Sequence, residues 1–451
     1  MTSNDMSQPL SSPLEISGSF GIPFLGEALQ LFSEQELFYW RHFKQYNSDF
    51  KTQILGNKVV CLIGPEANEI VLKDRGEFFS SAGGWYFLKS FLGEGLLLQD
   101  GAKHQLHRKL LYPSFNHQQI SSYFEKTNGT VETYIEQFWK GKSISLFTDL
   151  RKLTLFLIFQ LLISNQTQEE INLICQEFFQ IIEGIRTPIR VNLVGTKFRK
   201  AKQASYLLRK RIQATIYERK INQSNSRSQD ILDLLISAQD TEGKYLSDNE
   251  ITEHILHLLF AGYQTTAKLV GWVLVELNNH QDWQKKLREE QQSIIEQNTL
   301  EFNHLKDFNL LKNVIKEIER MYPPVYTIFR KVIKDFGYAN YCIPQGWYVA
   351  ISPLLTHRLN DIYVKPHQFD PNRFDVFRQE DKKHSFALIG FGGGTHQCLG
   401  KELALMQAKI ILSTLLRHYQ WDIKSQFSPT QPVFPTTRAE NLTKAHLEVL
   451  N

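Results

Sequence analysis

The chain carries a cysteine in a glycine-rich turn directly ahead of an amphipathic helix. Residues 391–400 read FGGGTHQCLG, and the apolar residues from Leu399 onward follow at helical spacing (Leu399, Leu403, Met406 and Ile410). At a helix N-terminus the macrodipole and the free N–H groups favour Cys398 as a thiolate. Such a thiolate can bind haem iron and favour O–O cleavage. The alternative is a buried free cysteine after a flexible loop.

Glycines in this turn suggest a close approach of the backbone to another group. Gly394 and Gly400 allow a tight turn, and we expect them to let the backbone come near something large and flat.

A second group of chemically useful residues lies inside a long apolar helix. Ser247 and Glu250 form a capping-box pattern that predicts the helix start, and apolar residues continue on most faces to about residue 275. Its middle reads AGYQTT (residues 261–266). Small residues there would let a flat cofactor lie against the helix, and the Thr265 hydroxyl, freed by a local distortion, could relay protons. Taken alone, the motif favours a packing glycine and a threonine bonded back to its own helix.

Three further polar patterns are weak individually. Glu317 and Arg320 share one face of a helix, which alone is typical of a solvated surface pair. Arg373, in the loop FDPNRF, could join that pair and clamp the loop upstream of the cysteine. His104 and Arg108, four residues apart, could face one anionic group.

Composition narrows the classes of function. Of the 451 residues, 42% are hydrophobic, which is enough for a large core. The formal charge of +4 is small for this length, so bulk electrostatics do not indicate nucleic-acid binding. The four cysteines lack metal-ligand spacing, which fits a reducing cytoplasm. The N-terminal residues lack a signal-peptide core, and the strongest apolar run, residues 153–163, is short of the about 20 residues that span a bilayer. We expect a cytoplasmic protein without a membrane anchor.

The organisation along the chain indicates one mainly α domain with a minor β portion. Residues 1–15 are expected to form a disordered lead, and residues 16–451 the domain. A hairpin is predicted within residues 49–63, helices over 120–325, and strands over 330–351 and near the C-terminus.

Together and in this order, the segments resemble the cytochrome P450 family of haem-thiolate monooxygenases. The resemblance covers about residues 18–450 and rests on the cysteine signature, AGxxTT, the ExxR of Glu317 and Arg320, and the FxPxRF of Arg373. It implies the P450 fold, with haem b between the long central helix and the helix after Cys398.

The resemblance also implies residue roles. Cys398 would be the axial iron ligand, Phe391 would shield it, and Thr265 would assist oxygen activation. Glu317, Arg320 and Arg373 would brace the haem pocket. The partners of the haem propionates would be four basic residues (His104, Arg108, Arg330 and His396).

Three positions depart from the family pattern. His104 stands where many members have Trp, and His396 where Arg is usual. Gln264 stands where most members have Asp or Glu, whose carboxylate helps deliver protons. Because an amide does not readily exchange a proton near neutral pH, oxygen activation would be slower, leakier, or routed through water and Thr265.

Two segments are similar to a subgroup that contains retinoic-acid hydroxylases, soluble cyanobacterial enzymes and plant hormone hydroxylases. These are GSFGIPFLGE (residues 18–27) and VNLVGTKFRK (residues 191–200), and the subgroup suggests a cyanobacterial retinoid or terpenoid hydroxylase. Aromatic residues within 85–92 would roof an apolar pocket, unless they are core. Arg186 and Arg190 could meet a carboxylate, although solvated arginines are the simpler interpretation.

The predicted protein is a monomeric monooxygenase that hydroxylates a lipophilic molecule with dioxygen and electrons from a separate ferredoxin. A basic patch would steer that acidic donor (Arg108, Lys109, Lys382, Lys383 and Lys401). Gln264 favours an alternative, a peroxide-using enzyme or a lipid isomerase that needs no redox partner. A non-catalytic haem or lipid carrier is the alternative from another class.

Overall fold

The computed structural model describes residues 16–33, 35–46, 49–164, 166–187, 190–221, 230–295, 299–424 and 443–450. The predicted disordered lead, residues 1–15, lies outside them. Helices dominate and short sheets are the minor part, which confirms the predicted fold class.

The helices lie mostly between residues 65 and 321. The sequence predicts those over residues 120–325, and the structure adds helices between residues 65 and 111 that the sequence did not predict. In chain order, the helices among the described residues are α1 (Ala28–Ser33), α2 (Gln35–Tyr46), α3 (Pro65–Lys73), α4 (Ser81–Trp85), α5 (Lys89–Leu92), α6 (Gly101–Leu111), α7 (His117–Phe138), α8 (Leu146–Leu162), α9 (Gln168–Arg186), α10 (Lys197–Ile221), α11 (Ile231–Ser237), α12 (Asp248–Asn279), α13 (Gln281–Ile294), α14 (His304–Asp307), α15 (Asn309–Met321), α16 (Pro353–Thr356) and α17 (Lys401–His418). The strands are β1 (Phe50–Ile54), β2 (Asn57–Leu62), β3 (Phe79–Ser80), β4 (Ser143–Ser145), β5 (Ile328–Val332), β6 (Phe336–Tyr338), β7 (Tyr341–Ile343), β8 (Tyr348–Ile351), β9 (Tyr419–Lys424) and β10 (Lys444–Val449).

Two compact units divide the described residues. Unit 1 contains those up to Trp85 and those from Arg320 to Gln397. Unit 2 contains those from Tyr86 to Glu319 and those from Cys398 onward. The prediction of one domain over residues 16–451 stays a prediction.

Unit 1 is built on a five-stranded sheet in the order β1-β2-β8-β5-β3, in which only the β2–β8 pair is parallel. The predicted hairpin within residues 49–63 is confirmed, because β1 and β2 pair antiparallel up to Ile54 and Asn57. Its two turn residues, Leu55 and Gly56, both have positive φ (47° and 81°). A two-residue type I′ turn, whose twist matches that of the paired strands, requires positive φ at both central residues.

Unit 2 is organised around α12, a helix of 32 residues. Its predicted start is confirmed: the Ser247 hydroxyl accepts from the backbone of Glu250, whose carboxylate accepts in return. α12 packs along α8, which contains most of the apolar run of residues 153–163. A Cβ on Gly271 would lie 2.5 Å from the Phe147 ring, so the absence of a side chain there sets how closely the helices approach.

Among the described residues, α12 is the helix that is long and apolar enough to cross a membrane. However, 67% of its most apolar window is buried inside the protein. That burial is typical of a core helix, which must be apolar on most faces for the same reason.

Arg320 anchors the loop that precedes the cysteine segment within unit 1. Its side chain is fully buried, and Nη1 donates to the carbonyl oxygens of His357 at 2.9 Å and Pro366 at 2.7 Å. Glu317, one turn earlier in α15, is likewise fully buried. The interpretation of these two residues as a solvated surface pair is therefore wrong.

Arg373 anchors the same loop from the other side. Nη1 donates to the Val364 carbonyl oxygen at 2.9 Å, and Nη2 to that of Gln368 at 3.1 Å. Its charge is balanced by Glu380, whose carboxylate lies 2.8 Å away with both side chains almost completely buried. The predicted clamp by Arg373 therefore exists in unit 1, and Glu380 is a partner that the sequence analysis missed.

We predict that Arg373→Met lowers the free energy of unfolding by about 3–5 kcal/mol, because it removes the buried partner of the Glu380 carboxylate and the donor to two loop carbonyl oxygens, and leaves the partly exposed Arg378 to balance the charge. Arg378→Ala is the matched control: Arg378 bonds to the same carboxylate, but its side chain is 34% exposed. Its loss should cost about 1 kcal/mol or less. Urea unfolding measures both values, and equal losses would contradict the clamp.

Candidate active site

The turn that leads to Cys398 is held in place by α3. Gly394 has a φ of +60°, a conformation that favours glycine, and a Cβ there would collide with the backbone carbonyl of Leu72. We expected this glycine to approach a large, flat group, but what it approaches is a helix backbone. By contrast, a Cβ on Gly400 would meet only the edge of Phe115, at 3.9 Å.

Cys398 is solvent-accessible although protein surrounds it in most directions. Burial raises the pKa of the thiol, while a hydrogen bond from the Gly400 N–H and the charges of Arg108 and Lys401 lower it. Burial outweighs these donors, so the local environment does not by itself hold the thiolate that the helix position suggests. A cationic group bound to the sulfur would complete that ionisation.

Basic residues of α6 line one side of this helix. His104 is buried, and Arg108, one turn later, is half-buried. Burial lowers the pKa of Arg108, and the sulfur of Cys398 raises it. Arg108 and Cys398 therefore lie within electrostatic range of each other in unit 2.

One face of the middle of α12 is accessible to solvent. Ala261 is exposed and Thr265, one turn later, is half-buried, although residues on both sides along the helix are buried. Gly262 faces elsewhere, because its Cβ would lie 3.1 Å from Ile158 of α8. Gly262 is thus the packing glycine of the alternative interpretation, whereas Ala261 is the small residue beside open space.

Thr265 is bonded back to its own helix. Its hydroxyl donates to the carbonyl oxygen of Ala261 at 2.7 Å, and α12 continues without a break through this point. The expected local distortion is absent from the described helix, since the threonine side chain satisfies the i−4 carbonyl without one. The hydroxyl oxygen keeps its lone pairs for a donor in the open space.

Gln264 is fixed by two donors. Arg186 Nη2 donates to its Oε1 at 3.1 Å, and the Tyr263 hydroxyl donates to the same oxygen at 3.0 Å. With Oε1 occupied, the amide offers its NH₂ group, which is a donor and not a proton acceptor. Gln264 therefore orients a neighbouring acceptor but does not supply a titratable proton.

Both arginines proposed as carboxylate partners bond to neutral groups. Arg186 bonds to Gln264, and Arg190 donates to the Phe87 carbonyl oxygen at 3.2 Å with its guanidinium over the Phe87 ring. Of the predicted roof within residues 85–92, three side chains are core (Leu88, Phe91 and Leu92). Tyr86 is 67% exposed, so the aromatic roof is smaller than the sequence suggests.

The remaining predicted residues belong to unit 1. Arg330 lies in β5, is buried, and donates to the Phe329 carbonyl oxygen at 2.9 Å. Phe391 and His396 are half-buried in the turn before the cysteine. Their roles stay predictions.

Comparisons with known proteins indicate the same family over most of the chain. The family profile named Cytochrome P450 matches residues 17–443. The chain is 30% identical to cytochrome P450 120 of Synechocystis sp. over 435 residues, 96% of each protein. It is 29% identical to abscisic acid 8'-hydroxylase 4 of Arabidopsis thaliana over 425 residues, 91% of this chain and 89% of that protein.

A solved structure of a cyanobacterial protein, CYP120A1 with retinoic acid bound, is also similar. It superimposes with a TM-score of 0.87 at 29% identity, covering 98% of this chain and all of that one.

Proposed function

The chain belongs to the cytochrome P450 family and is therefore a haem-containing monooxygenase, and we propose that it hydroxylates a retinoid or terpenoid with electrons from a separate ferredoxin. The observation that carries the proposal is the whole-length likeness to relatives of this type. One is named a hydroxylase of abscisic acid, and another was solved with retinoic acid bound. We further propose that the enzyme works as a cytoplasmic monomer.

The side chains of unit 2 fit haem b. The accessible sulfur of Cys398 would ligate the iron, and the half-buried guanidinium of Arg108 would meet a propionate together with His104. The small Ala261 leaves the face of α12 open beside Thr265. From unit 1, Arg330 and His396 would be further propionate partners, and Phe391 would shield the sulfur.

When bound, haem supplies the dioxygen activation that C–H hydroxylation needs. Thr265 would accept a hydrogen bond at Oγ1 and pass on a proton held there. The NH₂ group of Gln264 would orient a water molecule beside it. Because this amide cannot release a proton readily, proton supply is the step in which this enzyme departs from most of its family.

Electrons would enter on the side of the cysteine. Arg108 and Lys401 both act electrostatically on the sulfur, and Lys109 is exposed next to Arg108. These positive charges favour an acidic partner such as a ferredoxin and would speed its encounter.

Gln264 favours a second candidate function. An enzyme that uses peroxide, or that rearranges an oxygenated lipid, needs no carboxylate for proton delivery to dioxygen. The neutral partner that Arg186 has in Gln264 is compatible with such an enzyme.

A turnover assay distinguishes the two candidate functions. Purified protein is incubated with retinoids and terpenoids, with either ferredoxin, its reductase and NADPH, or hydrogen peroxide alone. We expect hydroxylated product with the ferredoxin system. Product with peroxide alone, and none with ferredoxin, would favour the second function.

We predict that Cys398→Ser removes the red-shifted Soret band of the reduced, carbon monoxide-bound protein, since that band requires a thiolate ligand. The control is Cys342→Ser, which changes a half-buried cysteine of β7. A Cys398→Ser protein that keeps the band would exclude Cys398 as the ligand.

We predict that Gln264→Glu raises the fraction of electrons that end in product by about two-fold or more, because the new carboxylate can exchange protons. Arg186 would hold it through a charge-assisted hydrogen bond. Gln264→Leu, which removes the amide and adds no acid, is the control. The measurement is product formed per NADPH consumed, and an unchanged ratio would mean that protons arrive by another route.

A further inference from the structure

A turn near the start of unit 1 presents apolar side chains to solvent. It lies in GSFGIPFLGE (residues 18–27), where the Gly26 N–H donates to the Ile22 carbonyl oxygen at 2.7 Å and closes a tight turn over residues 23–25. At the tip of this turn the Phe24 side chain is 74% exposed. The turn therefore directs its largest side chain away from the protein.

This turn lies directly on strand β1. A Cβ on Gly26, whose φ is +60°, would collide with the backbone of β1, so the close approach depends on glycine. The Leu55 N–H donates to the Leu25 carbonyl oxygen at 3.3 Å, and a Cβ on Gly56 would lie 3.7 Å from the Phe24 ring. The turn around Phe24 and the turn of the β1–β2 hairpin therefore lie side by side.

Further large apolar residues accompany Phe24. Leu25 and Leu29 are four residues apart, and Leu29 lies in the first turn of α1. Single apolar side chains scattered over a surface are ordinary, whereas a contiguous exposed group marks an interaction site. We call this group the apolar tip, and all of its members are exposed (Ile22, Phe24, Leu25, Leu29 and Leu55).

Two members of the apolar tip hold an unfavourable backbone conformation. Phe24 has a φ of +66° and Leu55 one of +47°. Bulky residues rarely adopt this left-handed region, and turns that face water ordinarily place Gly, Asn or Asp there. Since Phe24 is 74% exposed and Leu55 41% exposed, neither side chain offsets this cost by packing in the free protein. Such outliers are typical of positions that serve a function.

The acidic residue next to the apolar tip is held by partners within the protein. Glu27 is the acid that the sequence places within residues 16–33 and 50–62. Its carboxylate accepts from the Thr52 hydroxyl and lies 3.1 Å from Nε2 of His42, with 12% of the side chain exposed. Little negative charge is therefore presented beside the apolar side chains.

Positive charge and aromatic rings border the apolar tip. The Nζ atoms of Lys51 and Lys58 lie 5.6 and 5.4 Å from the ring centre of Phe20, two residues before Ile22. The Lys58 Nζ is also 5.1 Å from the ring of Trp347. Lysines and aromatic rings beside an exposed apolar group are typical of surfaces that lie in a membrane interface, where rings sit among headgroups and ammonium groups reach phosphates.

We propose that the apolar tip docks reversibly on the anionic surface of a lipid bilayer, with Phe24 and Leu55 inserted and with Lys51 and Lys58 against lipid phosphates. Docking is independent of the reaction that the enzyme catalyses, so it goes beyond the proposed function. A few apolar side chains and two cations give reversible binding, because a permanent anchor needs more apolar area. Docking would bring the enzyme to lipophilic molecules, which dissolve in bilayers far better than in water.

Flotation with vesicles tests the docking surface. The holoprotein is mixed with vesicles of phosphatidylcholine, alone or with about one third phosphatidylglycerol, and we expect binding to the anionic vesicles that weakens with salt. Combining Phe24→Asn with Leu55→Asn should weaken this binding about ten-fold or more and keep the Tm, because Asn tolerates positive φ. The matched control is Phe377→Asn, which changes another phenylalanine of unit 1, 92% exposed, and should bind like the wild type.

Hydrogen exchange of the wild-type protein covers the case in which the double variant fails to fold. Anionic vesicles should slow exchange in peptides that contain residues 20–29 and 52–58, and not in the peptide that contains Phe377. Wild-type protein that does not bind anionic vesicles or binds neutral ones equally, an equal loss in the control, or protection confined to other segments overturns the docking surface.

Sedimentation velocity without lipid gives a further outcome. A wild-type dimer that dissociates in the double variant would assign the apolar tip to contact between copies of the chain and would also overturn the docking surface. None of these results bears on hydroxylation with the ferredoxin system, which is measured without vesicles, so the two proposals fail separately.

Discussion

Burial of α12 along most of its 32 residues is the constraint on which unit 2 depends. The helix satisfies its own backbone, so the cost of burial falls on its polar side chains, each of which needs a partner. Most faces of α12 avoid this cost because they are apolar and pack on α8 and other neighbouring helices. The face that bears Thr265 is the exception, because it keeps an open stretch at Ala261 and Thr265. The residues of α12 that could take part in the chemistry therefore lie on the face that is not fully packed.

The cysteine shows the same competition between burial and charge. A position just before a helix favours a thiolate, and the Gly400 N–H does bond to the sulfur. Surrounding protein nevertheless raises the pKa of the thiol above its ordinary value, since desolvation penalises the charged form more than these donors favour it. The protein therefore supplies an accessible sulfur with modest electrostatic support. The bound cofactor would supply the remaining stabilisation of the thiolate.

Local signals in the sequence were sufficient for much of the fold. The start of α12 follows from Ser247 and Glu250, and the β1–β2 hairpin from the residues around Gly56, because both depend on neighbours within a few positions. Side-chain partners were harder to predict. Gln264 and Arg186 are 78 residues apart, and His254 and His107 are 147 apart, so no local pattern connects them.

The sequence by itself determined the family, the start of the long central helix, the cysteine that would bind iron, and the amide that stands where an acid is usual. These depend on residue identity and short-range periodicity, which are complete in the chain before it folds. Only the tertiary structure decided that Gly394 rests against α3, that Gln264 is held by Arg186, and that burial opposes ionisation of Cys398. It also decided that His254 and His257 are buried and that this burial lowers the pKa of each ring. Desolvation and hydrogen bonds between distant segments depend on distances in space. They are therefore set only when packing brings those segments together.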